Sequence, residues 1–237
     1  MPEFEYVTKR EAQPIKNDII ALIYDVQDYV RECFTLDFRF VGSSSRNMIT
    51  REKYGNKGFD FDVNLIPNVY NDEYAAYEIR NILFEAIQDC MEEFGYTKIE
   101  NSTSVITIKV PDAENSRIEH SCDFAIIRKL QDSREQYIHF HKERLPFNPP
   151  YSFCWEYRKD DYYIWDKYQW IKENDLYQEL LERYLINKNN NYIYDKKSRE
   201  ILIETVNSIY NQYRNELRNG LTSARIDSLY ASLWGTL

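Results

Sequence analysis

The chain is expected to fold as α+β: a mixed β-sheet lobe with flanking helices, followed by an α-helical lobe. Three observations predict it. Strict alternation of apolar and polar residues marks strands at Phe59–Leu65 and around Asp123. Helical spacing of apolar residues marks Pro14–Phe34 and Asp72–Phe94 between and before them. Past the adjacent Pro149 and Pro150 the alternation stops, and the chain turns helical and rich in Tyr and Trp.

In order, Ile15, Ile19, Leu22, Ile23, Val26 and Val30 recur at helical spacing and would pack the first helix on the sheet. Asp37–Val41 reads as a strand running into Gly42-Ser43-Ser44-Ser45-Arg46-Asn47, a turn expected to be helical. Phe59, Phe61, Val63 and Leu65 then point one way along a strand, with Asp60, Asp62 and Asn64 on its other face. Tyr74, Tyr77, Ile79, Leu83, Ile87 and Met91 give the second helix its apolar face, and Gly95 its stop. Strands follow at Ser104–Val110, around Asp123 and at Gln136–His141, with a turn at Pro111–Asn115. A break at Leu145–Pro150 precedes helices at Asp160–Ile171, Lys172–Leu185 and Lys196–Leu217, with Arg218-Asn219-Gly220 closing the last before a short one at Ala224–Leu233. The chain therefore reads as two domains, 1–145 and 146–237, facing one another across a cleft.

The chemistry concentrates in three places. Asp60 and Asp62 share one strand face, where two carboxylates would repel each other and a cation would relieve the repulsion. Val41-Gly42-Ser43 ends a strand, so free backbone N–H groups point past the strand end; the serine hydroxyls add donors, and Arg46 adds a positive fork suited to phosphate. Asp123 shares a strand face with Ser121 and Ala125 and would stand across the sheet from the first two acids. Taken singly, each has an ordinary structural reading: an acidic edge strand, a serine-rich helix cap, an aspartate in a salt bridge.

Together, Val41-Gly42-Ser43, Asp60-Phe61-Asp62-Val63 and a later Asp123 resemble the nucleotidyltransferase superfamily that includes DNA polymerase β and kanamycin nucleotidyltransferase. The resemblance covers roughly residues 20–130. The long spacer between Gly42 and Asp60, which carries Arg46, Arg51, Lys53 and Lys57, is more like the oligoadenylate and cyclic-dinucleotide synthase branch, although the chain is short for that branch. The resemblance implies that residues 1–145 form the catalytic domain. It also implies a nucleoside triphosphate (NTP) substrate, with Gly42, Ser43, Ser44 and Arg46 on its phosphates. Two divalent cations, Mg2+ or Mn2+, about 4 Å apart, would be held by the catalytic acids Asp60, Asp62 and Asp123. A nucleoside monophosphate would pass to a hydroxyl acceptor, releasing pyrophosphate. The alternative from another class is a nucleotide-binding regulatory or scaffold module without turnover. The spacer's basic residues would either close over the triphosphate or form a solvated loop.

Composition narrows the partners. With 39 acidic against 30 basic side chains, the net charge is −9. A large nucleic-acid acceptor is disfavoured, because grip on a long phosphate backbone relies on basic surface. The unknown hydroxyl acceptor is therefore expected to be a small molecule or a protein. No apolar run approaches a membrane span, and the first residues carry no signal-peptide pattern, so no membrane partner and a cytoplasmic location are expected. Cys33, Cys90, Cys122 and Cys154 are scattered and read as thiols rather than disulfides or zinc ligands. His139 and His141 share a strand face without a third ligand. The 21 tyrosines either stack bases or fill helix contacts.

Overall fold

A computed structural model describes residues 3–56, 58–69, 73–112, 117–142, 152–158, 162–191 and 196–234. In chain order these form β1 (Phe4–Tyr6), α1 (Lys9–Val30), β2 (Thr35–Val41), β3 (Thr50–Glu52), β4 (Phe59–Asn68), α2 (Ala76–Cys90), β5 (Lys98–Asn101), β6 (Val105–Asp112), β7 (Arg117–Lys129), β8 (Glu135–His141), β9 (Ser152–Tyr157), α3 (Tyr162–Glu173), α4 (Tyr177–Asn189) and α5 (Ser198–Trp234). The chain divides into two units, residues 2–159 and 160–237. The expected boundary residues 145 and 146 lie outside the described residues. The segment after Pro150, expected to be helical, begins instead with β9, which pairs with β8 and so belongs to the sheet.

The first unit is the expected mixed sheet with helices. Its strands run β2-β4-β7-β6-β5, with β4 and β7 parallel and their other neighbours antiparallel; β8 and β9 extend it from the end of β7. Period-two alternation sorts the two faces. Phe59, Phe61, Val63 and Leu65 of β4 and Cys122, Phe124 and Ile126 of β7 are buried in one core with Ile19, Leu22, Ile23 and Val26 of α1 and Ile79, Leu83 and Ile87 of α2. Each large apolar side chain buried this way contributes about 1.5–3 kcal/mol. The aspartates are left on the opposite face.

Helix α1 starts before Pro14, which lies inside it. A capping box sets the true start: the Thr8 hydroxyl accepts from the Glu11 N–H at 3.3 Å, and Glu11 accepts from the Thr8 N–H at 3.0 Å. The Thr8 hydroxyl, donating to the Glu11 carboxylate at 2.6 Å, and then the Thr8 N–H and Arg51 hold that carboxyl down to about 2. Helix α2 starts at Ala76, and Asp72 lies outside the described residues. It ends in a tight turn at Met91–Phe94, and Gly95 stops it in the left-handed region at φ 81°.

Arg80 of α2 is fully buried although helical patterning gave it no role. Its guanidinium donates to Asn101 Oδ1 at 3.0 and 2.7 Å and to the carbonyls of Ser102 at 2.9 Å and Val105 at 2.8 Å, and it stacks on Phe153 at 4.6 Å. Burial pushes its pKa down to about 10. This one side chain ties α2 to the β5–β6 hairpin and to β9.

In the second unit, Ile164, Ile171, Leu180, Ile201, Val206 and Ile209 are buried together with Thr205. Aromatic contacts and hydroxyl bonds join the helices: Trp170 meets Tyr210 edge-on at 5.1 Å, and the Tyr213 hydroxyl donates to Glu179 at 2.5 Å. Asp175, at φ 58°, breaks the expected continuation of α3 into α4. Gly220 does not close α5, which runs on to Trp234; an interior glycine costs about 1 kcal/mol, not enough to end a long helix.

Arg80→Met keeps the volume and removes the buried guanidinium's bonds to Asn101 Oδ1, Ser102 O and Val105 O. Stability is expected to fall by about 3 kcal/mol, read as a lower denaturant midpoint with an unchanged slope. A midpoint equal to that of the unsubstituted protein would contradict the tie.

Candidate functional site

The parallel register of β4 and β7 places Asp60 beside Ser121 and Asp62 beside Asp123. In-register neighbours project to the same sheet face, so all three expected acids come together on the face away from the core. Two hydroxyls hold them from neighbouring strands. Thr107 of β6, which pairs with Asp123, donates to Asp123 Oδ1 at 2.6 Å, and Ser121 donates to Asp60 Oδ1. Ser121 was visible in the sequence as a residue on the Asp123 face. Thr107 had no local signal, because its partner is set by strand pairing.

The Gly42 turn closes one end of this row. Val41, at the end of β2, pairs with Asp62, and Gly42 follows at φ 64°. A Cβ on Gly42 would meet Asp62 Oδ2 at 2.0 Å. Both the dihedral and the contact therefore require glycine, and the Asp62 carboxylate lies against bare backbone. The helical turn that follows is a single 3-10 turn, Ser44–Arg46, ending at Asn47 with φ 55°. Its first backbone bond runs from the Arg46 N–H to Ser43 O at 3.2 Å, so the N–H groups of Ser43, Ser44 and Ser45 are the orphan donors at its start. The Ser44 hydroxyl donates back to Val41 O at 2.8 Å, and the Ser45 hydroxyl to Gly42 O at 3.0 Å. Those side chains stiffen the turn.

The spacer's basic residues divide. Arg51 pairs with Glu5 and Glu11 at 2.7 and 2.8 Å, and Lys53 with Glu3 at 2.8 Å, tying β3 to β1 and to α1. Neither is a free surface cation. Lys57 lies outside the described residues. Arg128 is turned to the core side, over Trp155 at 4.5 Å and bonded to Gln136 at 2.8 Å. Beyond Asp62, Asn64 is almost fully buried, and its amide oxygen accepts from Arg39 Nε and Nη2 at 3.1 Å each and from Arg158 Nη1 at 3.0 Å. Glu135 accepts from Arg39 at 2.5 and 2.6 Å and pairs with Arg158 at 3.5 Å. Neither arginine was singled out from sequence, since β2 and the end of β9 meet only through the sheet.

Electrostatics sets this cluster apart from an acidic solvated face. Burial, followed by repulsion from Asp123 and Asp60, pushes the Asp62 carboxyl up to about 6, against opposing pulls from Arg46 and Arg158. Burial also raises Asp123, with the Thr107 bond opposing it. Half-buried carboxylate oxygens of excess negative charge are hard donors of the kind Mg2+ and Mn2+ take, so the donor set fits such an ion in kind. Among the described residues no three His, Cys, Asp or Glu side chains, these aspartates included, stand as a group arranged to hold a metal ion. The four cysteines are free, with Cys122 and Cys154 buried and Cys33 exposed. His139 and His141 do share a face, 5.1 Å apart, and His139 is engaged by Ser104 at 2.8 Å.

Without divalent cations, the raised Asp62 pKa means that the native state holds this proton more tightly than the unfolded chain. The contribution to stability is present below about pH 4 and is lost as pH rises through about 6. In EDTA, Asp62→Asn is expected to stabilise the protein at pH 7 by on the order of 3 kcal/mol, with the gain vanishing toward pH 4. Denaturant curves across that range measure it. A difference independent of pH would contradict the crowding of the acids.

No family model and no curated protein sequence matches the chain. Solved structures do. The GTP-bound form of Vibrio cholerae DncV superposes with a TM-score of 0.51 at 16% identity, covering 85% of this chain and 52% of that one. The 3'-deoxy GTP-bound form of Escherichia coli DncV gives 0.51 at 14% identity, covering 85% and 53%. Vibrio cholerae DncV cyclic AMP-GMP synthase, in complex with the linear intermediate pppA(3',5')pG, gives 0.50 at 15% identity, covering 82% and 53%. The chain thus spans about half the length of these structures. The chain shares its fold with these DncV structures over most of its length.

Proposed function

We propose that the chain is a metal-dependent nucleotidyltransferase, which moves a nucleoside monophosphate from an NTP to a hydroxyl acceptor and releases pyrophosphate. One observation carries this reading above the others: Asp62 faces Asp123 in parallel register, with Asp60 on the same face and Gly42 against Asp62. Mg2+ or Mn2+ held by Asp60, Asp62 and Asp123 would neutralise triphosphate charge and make an acceptor hydroxyl more acidic.

The chain's own groups do the rest. The orphan N–H groups at Ser43 and Ser44 bind the phosphate tail, which approaches closely because Gly42 carries no side chain. Arg46, whose charge already acts on Asp62, adds a fixed positive fork. Thr107 occupies one oxygen of Asp123 and leaves the other to accept the acceptor's proton, a transfer that needs only hydrogen-bond reach. Ser121 fixes Asp60. Catalysis here is positioning and charge compensation more than covalent chemistry.

Among acceptors, a second nucleotide is favoured by the likeness in fold to a cyclic AMP-GMP synthase. The acidic composition also speaks for a small acceptor over a long nucleic acid. No described helix is long and apolar enough to cross a membrane.

Thermal stabilisation by each of four non-hydrolysable triphosphates, with and without Mg2+, tests this. At about 100 times its Kd a ligand of the native state adds about 2.7 kcal/mol. The Mg2+-dependent shift is expected with at least one triphosphate and is expected to disappear in Asp62→Asn. Absence of any shift in the unsubstituted protein would remove the enzyme reading in favour of a scaffold without turnover.

A further inference from the structure

Strand β2 ends the sheet: it pairs with β4 along one edge, and among the described residues no strand pairs with the other. The direction of its backbone groups can be read from Leu36. That residue stands opposite Pro67, which has no N–H, and the Leu36 N–H donates to the side-chain oxygen of Gln27 on α1. Leu36 thus turns its polar groups away from β4, and by alternation so do Phe38 and Phe40. Exposed edges are ordinarily shielded by proline, lysine, a bulge or shortness. β2 has none of these: its seven residues, Thr-Leu-Asp-Phe-Arg-Phe-Val, keep a continuous register. The aromatic rings beside it are incompletely covered. Phe38 and Phe40 are half-buried, and Tyr24 of α1, 60% exposed, meets Phe38 edge-on at 6.0 Å.

Charge says which occupant this edge fits. Asp37 and Arg39 flank Phe38 on the sheet face of the acids. Among the described residues no cation pairs with Asp37, which accepts one bond, from the Asn68 amide at 3.4 Å. Arg39 commits Nε and Nη2 to Asn64 and Glu135, and its Nη1 donates to none of the described residues. Lay a second β2 antiparallel along the edge, centred on Phe38, and Asp37 of each copy stands opposite Arg39 of the other. Leu36 then meets Phe40, and Phe38 meets Phe38. Centring on Asp37 or on Arg39 would set like charges opposite each other, which is destabilising.

We propose that β2 is the contact between two copies of this chain, joined across a two-fold axis at Phe38 into one continuous sheet. The outward groups of the two Phe38 residues bond one another. The Phe40 N–H of each copy donates to Leu36 O of the other, so Gln27 keeps its place. Tyr24 and Phe38 of both copies close the apolar side, and two Asp37–Arg39 pairs close the polar side. The axis stands perpendicular to the sheet, so both rows of acids open on the same face. One strand pair makes a small interface, and the dimer is therefore weak and concentration-dependent. The contact lies outside the carboxylate row and stands or falls without the nucleotidyltransferase reading.

Sedimentation equilibrium of the intact chain, from micromolar to submillimolar concentration, tests it. A reversible monomer–dimer equilibrium is expected, weakened by added salt. Asp37→Arg sets an arginine opposite Arg39 twice over and is expected to raise the dimer Kd about tenfold or more. Adding Arg39→Asp restores opposite charges and is expected to return the Kd to within about threefold of the original. Hydrogen exchange needs no variant. The Phe38 and Phe40 amides are expected to slow as concentration rises, while the Leu36 amide, already bonded to Gln27, stays unchanged. A chain that is monomeric throughout overturns the proposal, as does a dimer indifferent to Asp37→Arg or a folded double variant that stays monomeric. If the double variant does not fold, exchange decides: protection at Phe38 and Phe40 that grows with concentration upholds the pairing, and its absence overturns it. A monomer with a protected Phe38 amide would give the edge to a segment of the same chain and likewise overturn it.

Discussion

The structure depends on a single pairing: β4 and β7 run parallel with Asp62 opposite Asp123. Shifting that register by one residue would turn one strand's acids into the core and its phenylalanines into solvent. The apolar residues on the other face forbid the shift, since Phe61, Val63, Phe124 and Ile126 are all buried. The hydrophobic pattern therefore fixes which carboxylates meet, although it contributes nothing to their chemistry. Mutual repulsion in a half-buried place is the cost, and it falls where a cation and a phosphate tail would be drawn in.

Around that pairing, each supporting residue answers a specific demand. Asp62 needs room, and Gly42 gives it by having no side chain. Asp60 and Asp123 each need a donor that leaves one oxygen open, and Ser121 and Thr107 serve from adjoining strands. Arg39 and Arg158 bring positive charge to the far end of the row, balanced in part by Glu135 and anchored on Asn64. Sites of this sort are built at some expense to stability, and the core of α1, α2 and the sheet supplies it.

Much of this was legible in the chain and some was not, for physical reasons. Alternation over Phe59–Leu65 and around Asp123 revealed both strands and the face of every acid, because period two leaves no freedom once one face is apolar. The Gly-Ser turn was legible for a related reason, since few residues other than glycine tolerate its dihedral and its contact. Helix α1 starts upstream of Pro14 because the Thr8-x-x-Glu11 box sets its first turn, and a proline is tolerated near a helix start. The aromatic residues of β9 suit helix or strand alike, and only pairing with β8 selects one. Thr107, Arg39, Arg158 and buried Arg80 were out of reach, as each acts on a partner distant in sequence.

Likeness to DncV extends over most of this chain and about half of those structures, so the fold is shared while the acceptor is a matter for experiment. The central claim is that Asp60, Asp62 and Asp123 act together on one cation site. Titration of Mn2+ followed by electron paramagnetic resonance tests this most directly, in the unsubstituted protein and in Asp62→Asn and Asp123→Asn. Binding that is lost in the first variant and weakened about tenfold or more in the second would bear the claim out. Mn2+ affinity indifferent to both substitutions would contradict it.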